Sequence, residues 1–248
     1  MSPRTYLATT QRILAQLAAD RRTVGLIIVV PSLLVSLLYF VYLDYPNGVL
    51  LFNRVAVTMV AVLPMLVMFL VTSVAMLRER RSGTLERLWT TPLHRADLLL
   101  GYGTAFTLAA CVQSLVLSAV CAWMLGVELA GSWAWLVLVG LLDAFVGVAM
   151  GLFTSAFSRS EFQAVQLMPV VISPQIFLCG LLVPRPRLPS VLEVIGNYLP
   201  MSWAADTASH LAIANDMPWE VSRNVLWLAL FGLAVLVVAA ITVPRQSR

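Results

Sequence analysis

The fold class this sequence predicts is an all-α membrane protein with six transmembrane helices, and three observations predict it. The chain is 60% hydrophobic and only 11% charged, with a mean hydropathy of +0.89. That is too little charge to cover a water-soluble domain. Six stretches of about 20 mostly apolar residues, the length that crosses a bilayer as a helix, are spread over all 248 residues. Arginines gather in alternate connections between them. One domain, 1–248, is expected.

The spans are placed near Val24–Leu43, Val55–Leu77, Leu98–Leu125, Trp133–Phe157, Ala164–Val183 and Val225–Val243. The third and fourth are long enough to tilt. The first is read as a retained span and not a cleaved signal: its apolar run is long and no small-residue cleavage motif follows. Orientation follows from the arginines. Twelve (Arg4, Arg12, Arg21, Arg22, Arg78, Arg80, Arg81, Arg87, Arg95, Arg159, Arg245 and Arg248) stand on one side, against four (Arg54, Arg185, Arg187 and Arg223) on the other. Both termini are therefore expected in the cytoplasm.

The leader, 1–23, places Tyr6, Ile13, Leu14, Leu17 and Ala18 on one helical face, with Arg12 and Asp20 pointing elsewhere. It reads equally as an interfacial helix on the cytoplasmic leaflet or as a plain basic leader. On the outer side, 184–223 is too apolar for a solvated loop. Prolines punctuate it, and two short helices are expected near Ser190–Tyr198 and Ser202–Ala214. Trp123, Trp133, Trp135, Trp219 and Trp227 cluster at outer boundaries as an aromatic belt.

Composition also excludes chemistry. All 16 basic residues are arginine, so a P-loop lysine and a lysine Schiff base are both excluded. Two histidines, far apart, and no Cys/His cluster leave no metal site. No Ser/His/Asp or Cys/His set is plausible, so no catalytic residue is assigned. Cys111, Cys121 and Cys179 lie inside apolar runs and read as small buried hydrophobes. The net charge of +4 is a topology signal beside apolar runs, and no nucleic-acid partner is implied.

Three polar features lie within the spans. Asp143 is costly in a bilayer and is a candidate for the substrate path or a proton site. Its other reading is a protonated or hydrogen-bonded acid facing Gln113, Ser114 or Ser118. In the fifth span Pro169 and Pro174 kink the helix. Ser173 and Gln175 beside them either line a path between protomers or bond a neighbouring helix. Gly147 and Gly151, four apart, permit close helix packing, within the chain or across a dimer seam. Asp206 and His210, also four apart, are expected to pair.

The cytoplasmic segment 78–97 carries the most specific pattern: Arg78-Glu79-Arg80-Arg81-Ser82-Gly83-Thr84-Leu85-Glu86-Arg87-Leu88-Trp89-Thr90-Thr91-Pro92-Leu93. Gly83 breaks the preceding helix, Thr84 caps a short one and Pro92 closes it. Leu85 and Leu88 then share a face beside Glu86. Such a helix fits a groove on another protein, or lies at the headgroups as a surface loop.

This segment resembles the coupling loop of type-2 ABC-transporter permeases, the daunorubicin-resistance and nodulation-factor exporter type. Arg78, Glu79, Arg80, Gly83, Thr84, Leu85, Glu86, Leu88, Thr91, Pro92 and Leu93 match in register, while Arg81 departs from an acidic position. Ala156–Glu161, Cys179–Pro184 with Leu188-Pro189, and Asn197-Tyr198-Leu199-Pro200 resemble later elements of the family. The resemblance implies a permease of a bacterial cell membrane, exporting an amphipathic drug, lipid or glycolipid. It would work as a dimer, with an identical or homologous second permease, docked on a cytoplasmic ABC ATPase. ATP and Mg2+ would bind that ATPase and no cofactor this chain. Glu79 and Glu86 would pair with basic groups there, with Leu85 and Leu88 filling the groove. The competing reading is a proton-coupled secondary transporter centred on Asp143.

Overall fold

The structure is a computed structural model describing residues 3–82, 95–216 and 218–242. Among them every regular element is helical: α1 (Pro3–Ala19), α2 (Arg21–Tyr42), α3 (Gly48–Arg81), α4 (Arg95–Ala119), α5 (Trp133–Phe157), α6 (Glu161–Leu178), α7 (Ser190–Asn197), α8 (Pro200–Leu211) and α9 (Trp219–Thr242). A π turn, Val120–Met124, prolongs α4.

Local chemistry sets the boundaries. Asp20 caps α2, its carboxylate accepting from the N–H groups of Arg22 and Thr23 at 3.2 Å and from the Thr23 hydroxyl at 2.6 Å. Asn47 takes a left-handed φ of 57° to turn α2 into α3. Ser160 caps α6 by accepting from the Gln163 N–H at 3.1 Å.

Five helices are long and apolar enough to cross a membrane: α2, α3, Asp97–Met124, α5 and α9. Six were expected. The remaining candidate, α6, carries Glu161, Gln163, Gln166 and Gln175 with Pro169 and Pro174, which lower its apolarity. It stops at Leu178, before the expected Val183, because Gly180 adopts a φ of +93° ahead of Pro184.

α3 is the hub of the bundle. Its most extensive partner is α5, whose glycines make the close approach possible. A Cβ at Gly140 would sit 2.9 Å from the Val60 carbonyl oxygen, and one at Gly151 2.7 Å from that of Phe69. Gly147 faces the Met65 carbonyl in the same way. Both members of the Gly-x-x-x-Gly pair therefore pack within the chain. Met65, Met68 and Phe69 of α3 are fully buried.

α1 docks on α4. The Tyr6 hydroxyl meets the Thr104 hydroxyl at 2.7 Å, Thr9 packs over Gly101, and Thr9, Thr10 and Ile13 are buried. The buried face is thus rotated from the expected one: Ala18 is exposed, and Arg12 turns inward. α2 buries only Ile27, Pro31 and Val35, leaving Leu26, Val29, Leu33, Leu37 and Phe40 exposed as an apolar flank. The two outer helices fall near their expected places. α8 inserts among α3, α5 and α9, burying Met201, Ala204, Ala205 and Ala208. α7 leaves Val191, Val194 and Ile195 exposed.

Candidate functional site

The last turn of α3 carries Arg78, Glu79, Arg80 and Arg81, and three of these reach a different helix each. Arg12 Nη1 of α1 donates to Glu79 Oε1 at 2.8 Å; the two side chains are 29% and 12% exposed. Arg78 grips Glu161 at the start of α6 with two parallel bonds, Nε to Oε1 at 3.0 Å and Nη2 to Oε2 at 3.1 Å. This is the bidentate geometry that makes arginine–carboxylate pairs directional. Arg80 Nη1 donates to the Ser155 carbonyl in the last turn of α5, where unpaired carbonyls and the helix dipole favour a cation.

The arrangement can transmit displacement. A pull on the end of α3 acts at once on α1, α5 and α6, through charged contacts with fixed geometry. Beside it a cavity of about 320 Å3 opens between α1, α2, α3, α4 and α6. Asp20, Arg78 and Glu79 give it polar edges, and Leu26, Leu70 and Phe106 line its apolar part. Asp20 is held below the usual carboxylate range, first by the Thr23 hydroxyl and then by the Thr23 N–H.

Of the residues singled out for coupling, the structure describes Glu79 and Arg80, both engaged within the chain. Gly83, Thr84, Leu85, Glu86, Leu88 and Pro92 lie outside the described residues. Asp97, in the first turn of α4, is buried, and neither carboxylate oxygen has a hydrogen-bond partner among the described residues. Sequence reasoning missed the roles of Arg12, Ser155 and Glu161. The only signal for Glu161 was its place in the turn between the fourth and fifth spans. The Arg12 pairing spans 67 positions and leaves no local signature.

Of the residues read as a substrate path, Asp143 and Gln175 are buried and Ser173 is half-buried. Asp143 is fully buried in α5, and neither of its oxygens has a hydrogen-bond partner among the described residues. The side chains of Gln113, Ser114 and Ser118 are also buried without a hydrogen-bond partner among the described residues, so the hydrogen-bonded alternative for Asp143 does not form with them. Ser114 instead lies against Gly140, one turn away. Gln175 is buried: its Nε2 donates to the Val171 carbonyl at 3.1 Å and its Oε1 accepts from the Met201 N–H at 3.5 Å. Gln175 thereby ties α6 to the start of α8, the neighbouring-helix alternative. Ser173 is half-buried on α6.

At the opposite end the expected Asp206–His210 pair is replaced. Asp206 pairs with Arg185, which also donates to Asn197 Oδ1 at 3.1 Å. His210 Nε2 meets Asp216 Oδ1 at 3.0 Å. Burial pushes the Asp206 carboxyl up, and the Arg185 guanidinium partly opposes that.

Comparison with known proteins places these features in context. The family model described as ABC-2 type transporter matches residues 4–212. The chain is 28% identical over 160 residues to the probable multidrug ABC transporter permease YbhS of Escherichia coli K12, covering 64% of this chain and 42% of that protein. It is 25% identical over 179 residues to the probable multidrug permease YbhR of the same organism, covering 72% and 47%. With the linearmycin resistance permease protein LnrN of Bacillus subtilis 168 it shares 27% over 139 residues, covering 56% and 36%. The chain thus spans less than half the length of these curated relatives.

Proposed function

The chain belongs to the ABC-2 type transporter family, and we propose that it is the membrane-spanning permease half of an exporter driven by a separate ATPase. It is a multi-pass membrane protein of bacterial type. The observation that carries the proposal is the convergence of Arg12–Glu79, Arg78–Glu161 and Arg80–Ser155 on the last turn of α3. The chain from there leads directly into 83–94, which carries the matched coupling pattern.

In this reading 83–94 docks on a cytoplasmic ABC ATPase, with Leu85 and Leu88 in its groove and Glu86 against a basic group. Gly83 and Pro92 bound the docked helix, and Thr84 caps it. Because Glu79 is already held by Arg12, it acts through α1 rather than on the ATPase itself. ATP and Mg2+ belong to the ATPase. A second permease, identical or homologous, completes the transport path, and the exposed flank of α2 is available to it or to lipid.

The topology proposed is six crossings with the arginine-rich end and both termini cytoplasmic. α6 supplies the further crossing. Its Glu161 end joins the arginine cluster, while Gln175 meets α8 at the other end. Its 18 residues extend about 27 Å, close to the thickness of a hydrocarbon core. The cargo is an amphipathic drug, lipid or glycolipid. The similarity to the multidrug permeases YbhS and YbhR and the linearmycin resistance permease LnrN supports a drug, and the cavity with polar edges and an apolar part is a suitable entrance from the inner leaflet. Asp143, which does not line that cavity, has a structural part in this reading.

Inverted membrane vesicles with this chain and its ATPase test the reading. They accumulate a fluorescent amphipathic cation with ATP and Mg2+ and fail to do so with a proton gradient alone. Accumulation driven by the gradient without ATP contradicts it.

A further inference from the structure

On the side of the bundle opposite the arginine cluster, a groove of about 1120 Å3 runs between α8 and α9. Its wall on α9 is one continuous stripe: Glu220, Arg223, Asn224, Trp227, Phe231 and Ala234. Apart from the adjacent Arg223 and Asn224, steps of three and four keep these residues on one helical face, and Glu220 to Ala234 extends about 21 Å. That exceeds the roughly 15 Å of one leaflet's hydrocarbon. The groove therefore descends from the surface into the membrane, given the orientation proposed above.

Its chemistry changes along that length. At the top, Arg223 and Glu220 are exposed, and neither forms an ion pair among the described residues. Asn224, one turn below Glu220, is 8% exposed; its side-chain amide lines the groove without a hydrogen bond among the described residues. The amide is open to the groove, where it can donate to or accept from a ligand. Below it the wall is aromatic. Trp203 is fixed by its indole N–H, which donates to the Asn197 carbonyl at 2.9 Å. It stands 6.2 Å from Trp227 and 6.0 Å from Phe231, centroid to centroid. The bottom, Leu230 and Ala234, is apolar.

A compact organic cation would use Glu220 and the aromatic shelf but leave Arg223 and the apolar foot unmatched. A molecule bearing a phosphate, a neighbouring ammonium and a long tail matches every level. We propose that this groove is a binding site for one zwitterionic phospholipid of the outer leaflet, phosphatidylethanolamine in type. Its phosphate is held by Arg223 and the Asn224 amide and its ammonium by Glu220. Its glycerol and upper acyl chain lie on Trp227 and Phe231, and the tail passes Ala234. The lipid fills the space between α8 and α9 that protein side chains leave open. The site rests on the proposed orientation but not on ATP coupling, so each can fail alone.

The test is native mass spectrometry of the full chain, delipidated in mild detergent and then titrated with phosphatidylethanolamine or phosphatidylglycerol. Expected is one retained phosphatidylethanolamine per chain, in preference to phosphatidylglycerol. Arg223→Glu should weaken retention about fivefold, the worth of one exposed charged contact. Ala234→Trp should block the tail without touching the headgroup site, and circular dichroism confirms that this variant keeps its helix content. No retained lipid, preference for phosphatidylglycerol, or retention unchanged in both variants overturns the proposal. The last result marks adventitious annular lipid only.

Discussion

Arg12 and Glu79 lie 67 positions apart and meet at 2.8 Å, joining the N-terminal helix to the last turn of the central one. The pair is mostly shielded, so it is worth more than a fully exposed bridge, yet it keeps enough contact with water to avoid the penalty of deep burial. It gives α1 a part in whatever α3 does. Charge exchange tests this. Arg12→Glu and Glu79→Arg should each lower stability by on the order of 1 kcal/mol and reduce transport, and the double exchange should restore much of both. A double-mutant cycle on thermal unfolding in detergent, run beside vesicle transport, measures the coupling.

The α3–α5 seam depends on missing side chains. Alanine at Gly147 drives a methyl group into the Met65 carbonyl, and backbone cannot rotate aside. The expected loss is roughly 1–3 kcal/mol. Gly25, half-buried on α2, has nothing among the described residues within 4 Å of an added Cβ. There alanine should be neutral or raise stability by up to about 1 kcal/mol through helix propensity. Thermal midpoints of the two variants should move in opposite directions or leave Gly25→Ala unchanged.

Asp20 gives a pH dependence of known sign. Its carboxyl is depressed in the folded chain by the Thr23 hydroxyl and N–H. Its stabilising effect is present above the ordinary aspartate value of 3.8 and is lost as pH falls through the lower folded value. Asp20→Ala should therefore melt below the parent at pH 7. The gap should close as pH falls below 3.8.

Asp143 separates the two transport mechanisms. Its oxygens are buried and have no hydrogen-bond partner among the described residues. Asp143→Asn keeps the shape and removes the titration, so ATP-driven transport should persist near parental level. Loss of transport in a correctly folded variant would identify a proton step.

Hydropathy and arginine placement were enough to read the helical class and the positions of α2, α3, α5 and α9, because a bilayer demands long uninterrupted apolar runs. Prolines and glutamines thin the apolar signal of α6, and the expected span ran past Gly180, whose positive φ ends the helix. Side-chain pairing was less legible. Spacing of four suggested Asp206 with His210, but Arg185 and Asp216 arrive through folding and take one each. Arg12 was assigned away from the bundle because its partner comes from another helix, and no local periodicity encodes that. The Gly147–Gly151 motif announced close packing, while the face it meets, α3, is decided by the bundle.

The most direct test of ATPase coupling is purification of this chain from its native membrane in mild detergent, with ATPase activity assayed on the eluate. The account predicts a near-stoichiometric ABC ATPase that co-purifies, and whose recovery is lost with Glu86→Arg while the helical fold is kept. A clean preparation of the chain alone, with transport continuing in ATP-free vesicles, would contradict it.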